Sequence, residues 1–226
     1  MLQFEHQVWR RGFRCVAGVD EAGRGTLAGP VVAAAIIFDS DFLKREVRGL
    51  LKEFKDSKEL TAAGREICYE FLCGCDAVEM SVGVADVFEI DRYNILQATF
   101  AAMGRAVTGL PNPPDHVLID GPHAPVISFP CTPIIDGDAL SLSIAAASIV
   151  AKVTRDRMMV ELDARFPGYG LACHKGYGTE LHTKALFEHG PSPAHRRSFR
   201  PVQDAIRIHA YLAGRKEQAD RQGMTK

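Results

Sequence analysis

At 226 residues the chain is long enough to bury one substantial hydrophobic core. Its hydrophobic residues (46%) and charged residues (24%) occur in ordinary globular proportion, which excludes a disordered or fibrous protein. No apolar run approaches the roughly 20 residues that span a bilayer, and residues 1–6 lack the basic and apolar segments of a secretory signal. We therefore expect a cytoplasmic protein that makes no use of a membrane.

The predicted elements alternate between short strands and helices. Two apolar strands, at residues 15–20 and 31–38, flank a glycine-rich turn and are expected to pair antiparallel. The elements that follow are a helix at 60–72 capped by Thr61, strands at 77–84 and 116–119, a helix at 86–107, a short strand at 134–135 and a helix from 142 to about 165. This order predicts an α/β fold in which helices cover a mixed sheet.

The C-terminal part is predicted to contain less regular structure. Residues 166–200 are rich in Gly, His and Pro and are expected to form loops, whereas residues 201 to about 215 form an amphipathic helix. Residues 216–226 are expected to be a frayed tail. We expect one domain over residues 1–198, followed by a helical extension and tail over residues 199–226.

The net charge of −1 conceals an asymmetry along the chain. Residues 1–142 hold 13 Lys and Arg against 20 Asp and Glu, a charge of −7, whereas residues 143–226 hold 14 against 8, a charge of +6. An acidic half joined to a basic half suits a metal-dependent enzyme that acts on a polyanion. The alternative explanation of this asymmetry is an ordinary scatter of charged residues over the surface.

Four acidic residues lie where a predicted strand ends or a helix begins: Asp20, Glu21, Asp120 and Asp138. Ligands of mixed sheets gather at strand ends, and a set of carboxylate oxygens favours the hard cations Mg²⁺ or Mn²⁺. Two such ions about 4 Å apart can stabilise an in-line phosphoryl displacement. Asp138 has the alternative role of a helix cap, and Asp120 that of a turn residue.

Gly23, Arg24 and Gly25 follow the first two acids directly. A glycine-flanked arginine lets backbone N–H groups and a guanidinium approach a phosphate or sugar closely. Carboxylates for a metal beside donors for a phosphodiester predict a nuclease.

Other polar groups are less informative. The six cysteines indicate reduced thiols, and the spacing of Cys68, Cys73 and Cys75 fits no common zinc site.

The irregular spacing of the histidines at 174, 182, 189 and 195 also argues against zinc, so we expect metal-activated water to be the nucleophile. Lys152 and Arg155 share a helix face, which is either a basic edge for a duplex or a solvated face.

Taken in order, several short segments closely resemble the bacterial ribonuclease HII family, a type 2 ribonuclease H. The segments are residues 20–25, 27–34, 56–58, 93–99, 119–121, 137–138, 143–156, 174–179 and 195–199. They run from about residue 15 to 202, so the resemblance covers most of the chain. A lone Asp-Glu pair would be weak, whereas this ordered set is very specific.

The resemblance implies a ribonuclease H-like mixed β-sheet flanked by helices, with a C-terminal helical extension. It implies an endonuclease that hydrolyses the RNA strand of RNA/DNA hybrids and incises duplex DNA at single embedded ribonucleotides. The products would carry 3′-hydroxyl and 5′-phosphate ends. The partners implied are these nucleic acids, the cofactor is Mg²⁺ or Mn²⁺, and we expect a monomer.

The resemblance also implies individual roles. Asp20, Glu21, Asp120 and Asp138 would be the four metal-binding catalytic acids. Gly23, Arg24 and Gly25 would contact the ribonucleotide at the RNA–DNA junction, Tyr177 would stack on the sugar of the following deoxynucleotide, and Lys58 would contact backbone phosphate. Lys58 as a solvated lysine and Tyr177 as a loop-packing residue are the alternatives.

Two other functions deserve comparison with this one. A ribonuclease HIII-like enzyme would carry an added N-terminal substrate-binding domain, and here only about fifteen residues precede the first predicted strand. A non-catalytic hybrid-binding module on the same fold would have lost one or more of the acids, and all four are present. A P-loop is excluded because Gly23–Gly25 is followed by no Gly-Lys-Ser/Thr element.

Overall fold

The computed structural model describes residues 1–49, 51, 52, 54 and 60–223, with side chains up to residue 215. The predicted phosphate contact of Lys58 lies outside the described residues. The described strands are β1 (Val16–Ala22), β2 (Val31–Phe38), β3 (Val78–Ala85), β4 (His116–Asp120) and β5 (Cys131–Ile134). They form one sheet in the order β3-β2-β1-β4-β5. The predicted mixed sheet is confirmed.

The central strand β1 has neighbours of both orientations. It pairs antiparallel with β2, so that Asp20 lies opposite Ala34, and parallel with β4, so that Val19 lies opposite Ile119. Strand β3 continues the antiparallel side and β5 the parallel side. Since β1 and β4 run in the same direction, their carboxyl ends meet at one edge of the sheet.

Helices occupy most of the remaining described chain. They are α1 (Gln3–Arg10), α2 (Ser40–Glu46), α3 (Ala62–Cys73), α4 (Val87–Thr108), α5 (Gly137–Leu140), α6 (Leu142–Arg165), α7 (Leu171–His174), α8 (Glu180–His189) and α9 (Arg200–Gly223). Thr61 caps α3 as predicted, because its side-chain oxygen accepts from the Gly64 N–H. No helix within the described ranges is long and apolar enough to cross a membrane.

The prediction of loops over residues 166–200 is wrong, because α7 and α8 lie there. Helix α8 is capped by Thr179, whose hydroxyl accepts from the His182 N–H, and its buried face consists of His182, Ala185 and Leu186. That spacing is helical, but the histidine and the polar neighbours conceal the apolar pattern on which the prediction depends.

Helices α1 and α2 were not predicted either, and the observed bounds of two further elements differ from the predicted ones. Strand β5 begins at Cys131 rather than at residue 134, and its Pro133 is tolerated because β5 is an edge strand. Helix α9 continues beyond the predicted end at residue 215 to Gly223.

The chain divides into two compact units. The first contains Met1–Arg24, Pro30–Asp86 and Ile95–Arg155, and therefore the whole sheet. The second contains Gly25–Gly29, Val87–Asn94 and Asp156–Lys226. Helix α4 is interrupted at the boundary, where Asn94 has φ 70° and ψ 165°.

In the first unit, helices approach the sheet at glycines. A Cβ atom on Gly18 of β1 would lie 2.2 Å from the backbone carbonyl carbon of Ser143 in α6. A Cβ atom on Gly83 of β3 would lie 2.0 Å from the carbonyl oxygen of Ala102 in α4. Backbone therefore packs on backbone at both places, which fixes the start of α6 against the strand that carries Asp20.

The start of α6 is also held by the N-terminal helix. Glu5 of α1 is fully buried, and its Oε1 accepts from the Ser141 hydroxyl (2.6 Å) and the Ser143 N–H (3.1 Å). The Leu142 N–H donates to the Met1 carbonyl (2.9 Å). A carboxylate at this end of a helix satisfies backbone N–H groups that have no partner within the helix.

Replacing Gly18 by Ala is expected to lower the free energy of unfolding by about 3 kcal/mol, because the added carbon collides with backbone that cannot rotate away. Urea unfolding measures this loss. Gly214→Ala is the matched control, since a Cβ there meets nothing within 4 Å and a helical alanine is favoured by roughly 1 kcal/mol. Equal stability of Gly18→Ala and wild type would contradict the packing described.

Candidate functional site

The carboxyl end of β1 carries two adjacent acids. Asp20 is 6% exposed, and its Oδ1 accepts from the Glu21 N–H at 2.6 Å. The Glu21 carboxylate is also largely buried, with a side chain that is 10% exposed. Their partners on β2 are Ala34 and Ala33, whose short side chains leave room for the carboxylates.

The third and fourth acids come from the parallel neighbour and the helix beyond it. Asp120 ends β4, and its Oδ1 accepts from the Gly137 N–H at 2.7 Å. Gly137 is the first residue of α5, which carries the buried Asp138. A Cβ on Gly137 would lie 3.2 Å from Asp120 Oδ1 and 2.7 Å from Ile144 Cδ1, so a larger residue there would displace the end of the Ile144 side chain.

The first three acids influence one another electrostatically. Burial raises the pKa of Asp20 well above its ordinary value, and the charges of Glu21 and Asp120 raise it further. Hydrogen bonds from the Ser148 hydroxyl and the Glu21 N–H offset part of this rise in the pKa of Asp20. Burial also raises the pKa of Glu21, against the lowering effect of Arg24. The structure therefore brings Asp20, Glu21 and Asp120 together, with Asp138 next to the residue that binds Asp120.

The chemistry of these donors fits a hard divalent cation. Buried carboxylates that repel one another are stabilised by a positive charge, and the buried Glu21 Oε2 accepts no hydrogen bond from the described residues. Within the same part of the chain, no three His, Cys, Asp or Glu side chains already surround one point.

Arg24 lies beside the acids in the first unit. Its Nη1 is 3.2 Å from Glu21 Oε1, and its side chain is 48% exposed. Gly23 has φ +98°, and a Cβ there would lie 1.9 Å from Arg155 Nε. Glycine at position 23 thus allows both the turn and the close approach of a buried side chain.

Arg155 is neither a basic edge for a duplex nor part of a solvated face. It is fully buried, and its Nε donates to the Pro30 carbonyl at 2.9 Å. Arg155 therefore contacts both ends of the turn that joins β1 to β2, at Gly23 and at Pro30. Its position in α6 gives no sign of this, because a buried arginine cannot be distinguished from a surface one by spacing alone.

Gly25 and Tyr177 belong to the second unit. A Cβ on Gly25 would meet nothing within 4 Å, so the space beside this glycine is open. Two residues further on, the Leu27 N–H donates to the Gly176 carbonyl at 2.8 Å. Tyr177 follows, with a side chain that is about half exposed. A backbone hydrogen bond therefore joins the segment after Arg24 to the loop that carries Tyr177.

Other bonds in the second unit hold the same segment. The fully buried Arg196 donates from Nε to the Gly29 carbonyl (3.0 Å) and from its backbone N–H to the Leu27 carbonyl (2.9 Å). Sequence analysis missed Arg196, Arg155 and Ser148 as residues that support the site. For Ser148, the available signal was a lone hydroxyl in a run of small apolar residues on α6.

Comparison with known proteins identifies relatives over most of the chain. A family model described as Ribonuclease HII matches residues 17–202. A protein named Ribonuclease HII from Geobacter metallireducens is 54% identical over 203 residues, which are 90% of this chain and 92% of that protein. The resemblance found in the sequence is confirmed.

Solved structures agree on the fold. The ribonuclease H2 from Pyrococcus horikoshii OT3 matches with a TM-score of 0.71 and 26% identity, covering 86% of this chain and 99% of that one. Bst-RNase HIII in complex with Mn²⁺ matches with a TM-score of 0.70 and 20% identity, covering 86% of this chain and 70% of that one. The second likeness concerns the fold alone, and the predicted ribonuclease H-like fold is confirmed.

Replacing Asp20 by Asn is expected to raise the Tm of the metal-free protein by about 2–4 °C, the shift that roughly 1 kcal/mol produces at this size. The change removes a buried charge that Glu21 and Asp120 repel, while the amide oxygen still accepts the Glu21 N–H. Thermal unfolding in EDTA measures the Tm of the metal-free protein, and unfolding with Mg²⁺ or Mn²⁺ measures the Tm in the presence of the ion. The ion should raise the Tm of the wild type and leave that of Asp20→Asn unchanged.

Asp41→Asn is the control, because that carboxylate is 84% exposed and pairs with Lys44 at the surface. It should retain the metal-induced rise in Tm. A metal-free Asp20→Asn protein that melts below the wild type would contradict the repulsion inferred here.

Proposed function

This chain belongs to the ribonuclease HII family, and from that premise we propose that it incises duplex DNA at single embedded ribonucleotides with Mg²⁺ or Mn²⁺. It is a ribonuclease H, an endonuclease acting on the RNA strand of RNA/DNA hybrids. The cleavage products in this proposal carry 3′-hydroxyl and 5′-phosphate ends. The observation that carries the proposal is the cluster of buried, mutually repelling carboxylates at the ends of β1 and β4.

In this proposal Asp20, Glu21, Asp120 and Asp138 hold the ions. Divalent cations bound there would supply a water nucleophile and compensate the charge on the transferred phosphoryl group. Because Asp20 and Asp120 end neighbouring parallel strands, the sheet itself sets the separation of the ligands. Ser148 orients the Asp20 carboxylate through its hydroxyl.

Recognition of the ribonucleotide is assigned to Gly23, Arg24 and Gly25. Only the 2′-hydroxyl distinguishes RNA from DNA at one nucleotide, so donors and acceptors must come within hydrogen-bond distance of it. The open space beside Gly25 permits that approach of backbone. The half-exposed Arg24, next to Glu21, would bind the adjacent phosphate.

Tyr177 is assigned to the deoxynucleotide on the 3′ side. An aromatic face packs on a deoxyribose, whereas a 2′-hydroxyl at that position crowds it. The backbone N–H and carbonyl of Tyr177 are both hydrogen-bonded, while its side chain is exposed. Lys58 is proposed to contact backbone phosphate, and the support for this role is the resemblance of residues 56–58 to the family.

The other functions considered receive less support. The match to the Ribonuclease HII model over residues 17–202 favours that family over ribonuclease HIII. A non-catalytic binding module is not supported, because the chain is an enzyme of this family and retains all four acids. The described cysteines are all free, which supports the proposal of a cytoplasmic, reducing location.

Asp20→Asn and Asp120→Asn are each expected to lower cleavage of a duplex with one ribonucleotide by roughly 10³-fold or more, since each removes a ligand charge from the reaction centre. Gel assays with Mg²⁺ or Mn²⁺ measure the rate, and binding of the same duplex in Ca²⁺ should persist. Asp41→Asn should cleave at the wild-type rate. Full activity of either site variant would overturn the assignment.

Tyr177→Ala is expected to lower the preference for a single-ribonucleotide duplex over an all-RNA/DNA hybrid by roughly tenfold. An aromatic stacking contact is worth about 1–3 kcal/mol, and 1.4 kcal/mol is a factor of ten. The measurement is the ratio of the two kcat/KM values. Tyr177→Phe keeps the ring and should keep the ratio, whereas an unchanged ratio in the alanine variant would remove the stacking role.

A further inference from the structure

Three histidines of the second unit form a cluster that the proposed chemistry does not use. His182 and His195 are buried, with 0% and 2% of their surface exposed, and their Nε2 atoms are 3.0 Å apart. The ring of His174 stacks on that of His182, with centroids 4.3 Å apart. Buried imidazoles in contact need a defined arrangement of protons, because two facing N–H groups would repel each other.

The backbone partners fix the proton positions of His182 and His195. His182 Nδ1 is 2.9 Å from the Tyr177 carbonyl, which only accepts, so Nδ1 carries the proton and donates. His182 Nε2 is then bare and accepts from the Nε2–H of His195. His195 Nδ1 is bare in turn and accepts from the N–H (3.1 Å) and hydroxyl (2.8 Å) of Ser192. In this series of hydrogen bonds, which runs from Ser192 through His195 and His182, every donated proton points towards Tyr177.

The proton position of His174 is assigned in the same way, from its backbone partners. Its Nε2 lies 2.8 Å from the Tyr169 carbonyl and therefore donates, while its Nδ1 accepts from the Gly176 N–H at 3.2 Å. All six ring nitrogens of the cluster are thus engaged, which leaves no lone pair for a metal ion or for proton abstraction. The cluster therefore supports structure within the second unit.

The protonation states agree with this arrangement. Burial and, to a smaller extent, the neighbouring His182 together lower the pKa of His195 to about 4. Burial also lowers the pKa of His182. Both rings are neutral at neutral pH, as the one-way chain of donors requires.

The chain of hydrogen bonds ends at the peptide group that orients Tyr177. The Tyr177 carbonyl accepts from His182 Nδ1 and from the Thr179 N–H (2.8 Å), and the Tyr177 N–H donates to the His174 carbonyl (3.0 Å). With the peptide groups on both sides held, the direction of the exposed side chain from its Cα is fixed. His195 also forms a bridge with Ala28 through its backbone, which joins the chain to the segment after Arg24.

We propose that His182 and His195 are positioning residues for Tyr177, which hold its ring at the angle that discriminates deoxyribose from ribose on the 3′ side of the ribonucleotide. This inference rests on the stacking role of Tyr177 proposed above. Its distinctive consequence is that breaking the histidine chain alters substrate preference through Tyr177 and through no other residue.

The test is a double-mutant cycle between His182 and Tyr177. Glutamine at 182 places its amide near the Nε2 position and loses the donor to Tyr177, so His182→Gln should lower the preference ratio roughly three- to tenfold, as loss of one hydrogen bond does. Asparagine places its amide near Nδ1, so His182→Asn should restore most of the ratio. In the Tyr177→Ala background, His182→Gln should change the ratio no further.

His209→Asn is the matched control, because asparagine places its amide near Nδ1 and so removes the Nε2 donor. His209 Nε2 donates to the Phe187 carbonyl at 2.9 Å in the same unit, without belonging to the chain, so its loss should leave the ratio unchanged. A wild-type ratio in His182→Gln, or an effect that multiplies with that of Tyr177→Ala, would overturn the inference. If Tyr177→Ala itself leaves the ratio unchanged, the stacking role fails instead.

A measurement on the wild-type protein remains decisive if His182→Gln does not fold. Nitrogen-15 NMR of the imidazoles should show His182 with its proton on Nδ1 and His195 with its proton on Nε2, both protected from solvent exchange. The opposite tautomer at either residue, or a charged ring at neutral pH, would overturn the proposal.

Discussion

The parallel pairing of β1 with β4 is the constraint on which the rest of the structure depends. It places Asp20 and Asp120 at the same edge of the sheet, where burial raises the pKa of Asp20 and the charges of Glu21 and Asp120 raise it further. Because Asp20 and the Glu21 side chain are largely buried, the repulsion is poorly screened. In the proposed function, a cation bound by these carboxylates would offset their repulsion, which is the electrostatic basis of the metal dependence proposed above.

The surrounding structure resists relaxation of that repulsion. Gly18 lets the backbone of α6 lie directly on β1, and Gly137 lets the start of α5 donate to Asp120. Two buried arginines, Arg155 and Arg196, donate to the consecutive carbonyls of Pro30 and Gly29. Arg155 holds Pro30 within the first unit, and Arg196 holds Gly29 within the second.

The sequence predicted the strands and the long helices well because their apolar patterns are regular, as in β2, whose eight residues are all buried. Carboxylates at strand ends are chemically unusual, and for that reason the sequence pointed to Asp20, Glu21 and Asp120, which the structure brings together. It did not predict α8, whose buried face includes a histidine, nor the burial of Arg155, because both depend on tertiary partners far away in the sequence. The glycines can be read from the sequence, but the backbone atoms that each glycine contacts cannot be predicted from it.

The buried carboxylate of Glu5 has a consequence beyond packing. The family match begins at residue 17, so helix α1 lies outside the part of the chain that defines the family. Glu5 nevertheless binds Ser141 and Ser143, three and five residues beyond Asp138. Glu5 therefore links the N-terminal helix to the segment that follows Asp138, so a peptide tag or truncation at this end is expected to disturb that segment from a distance.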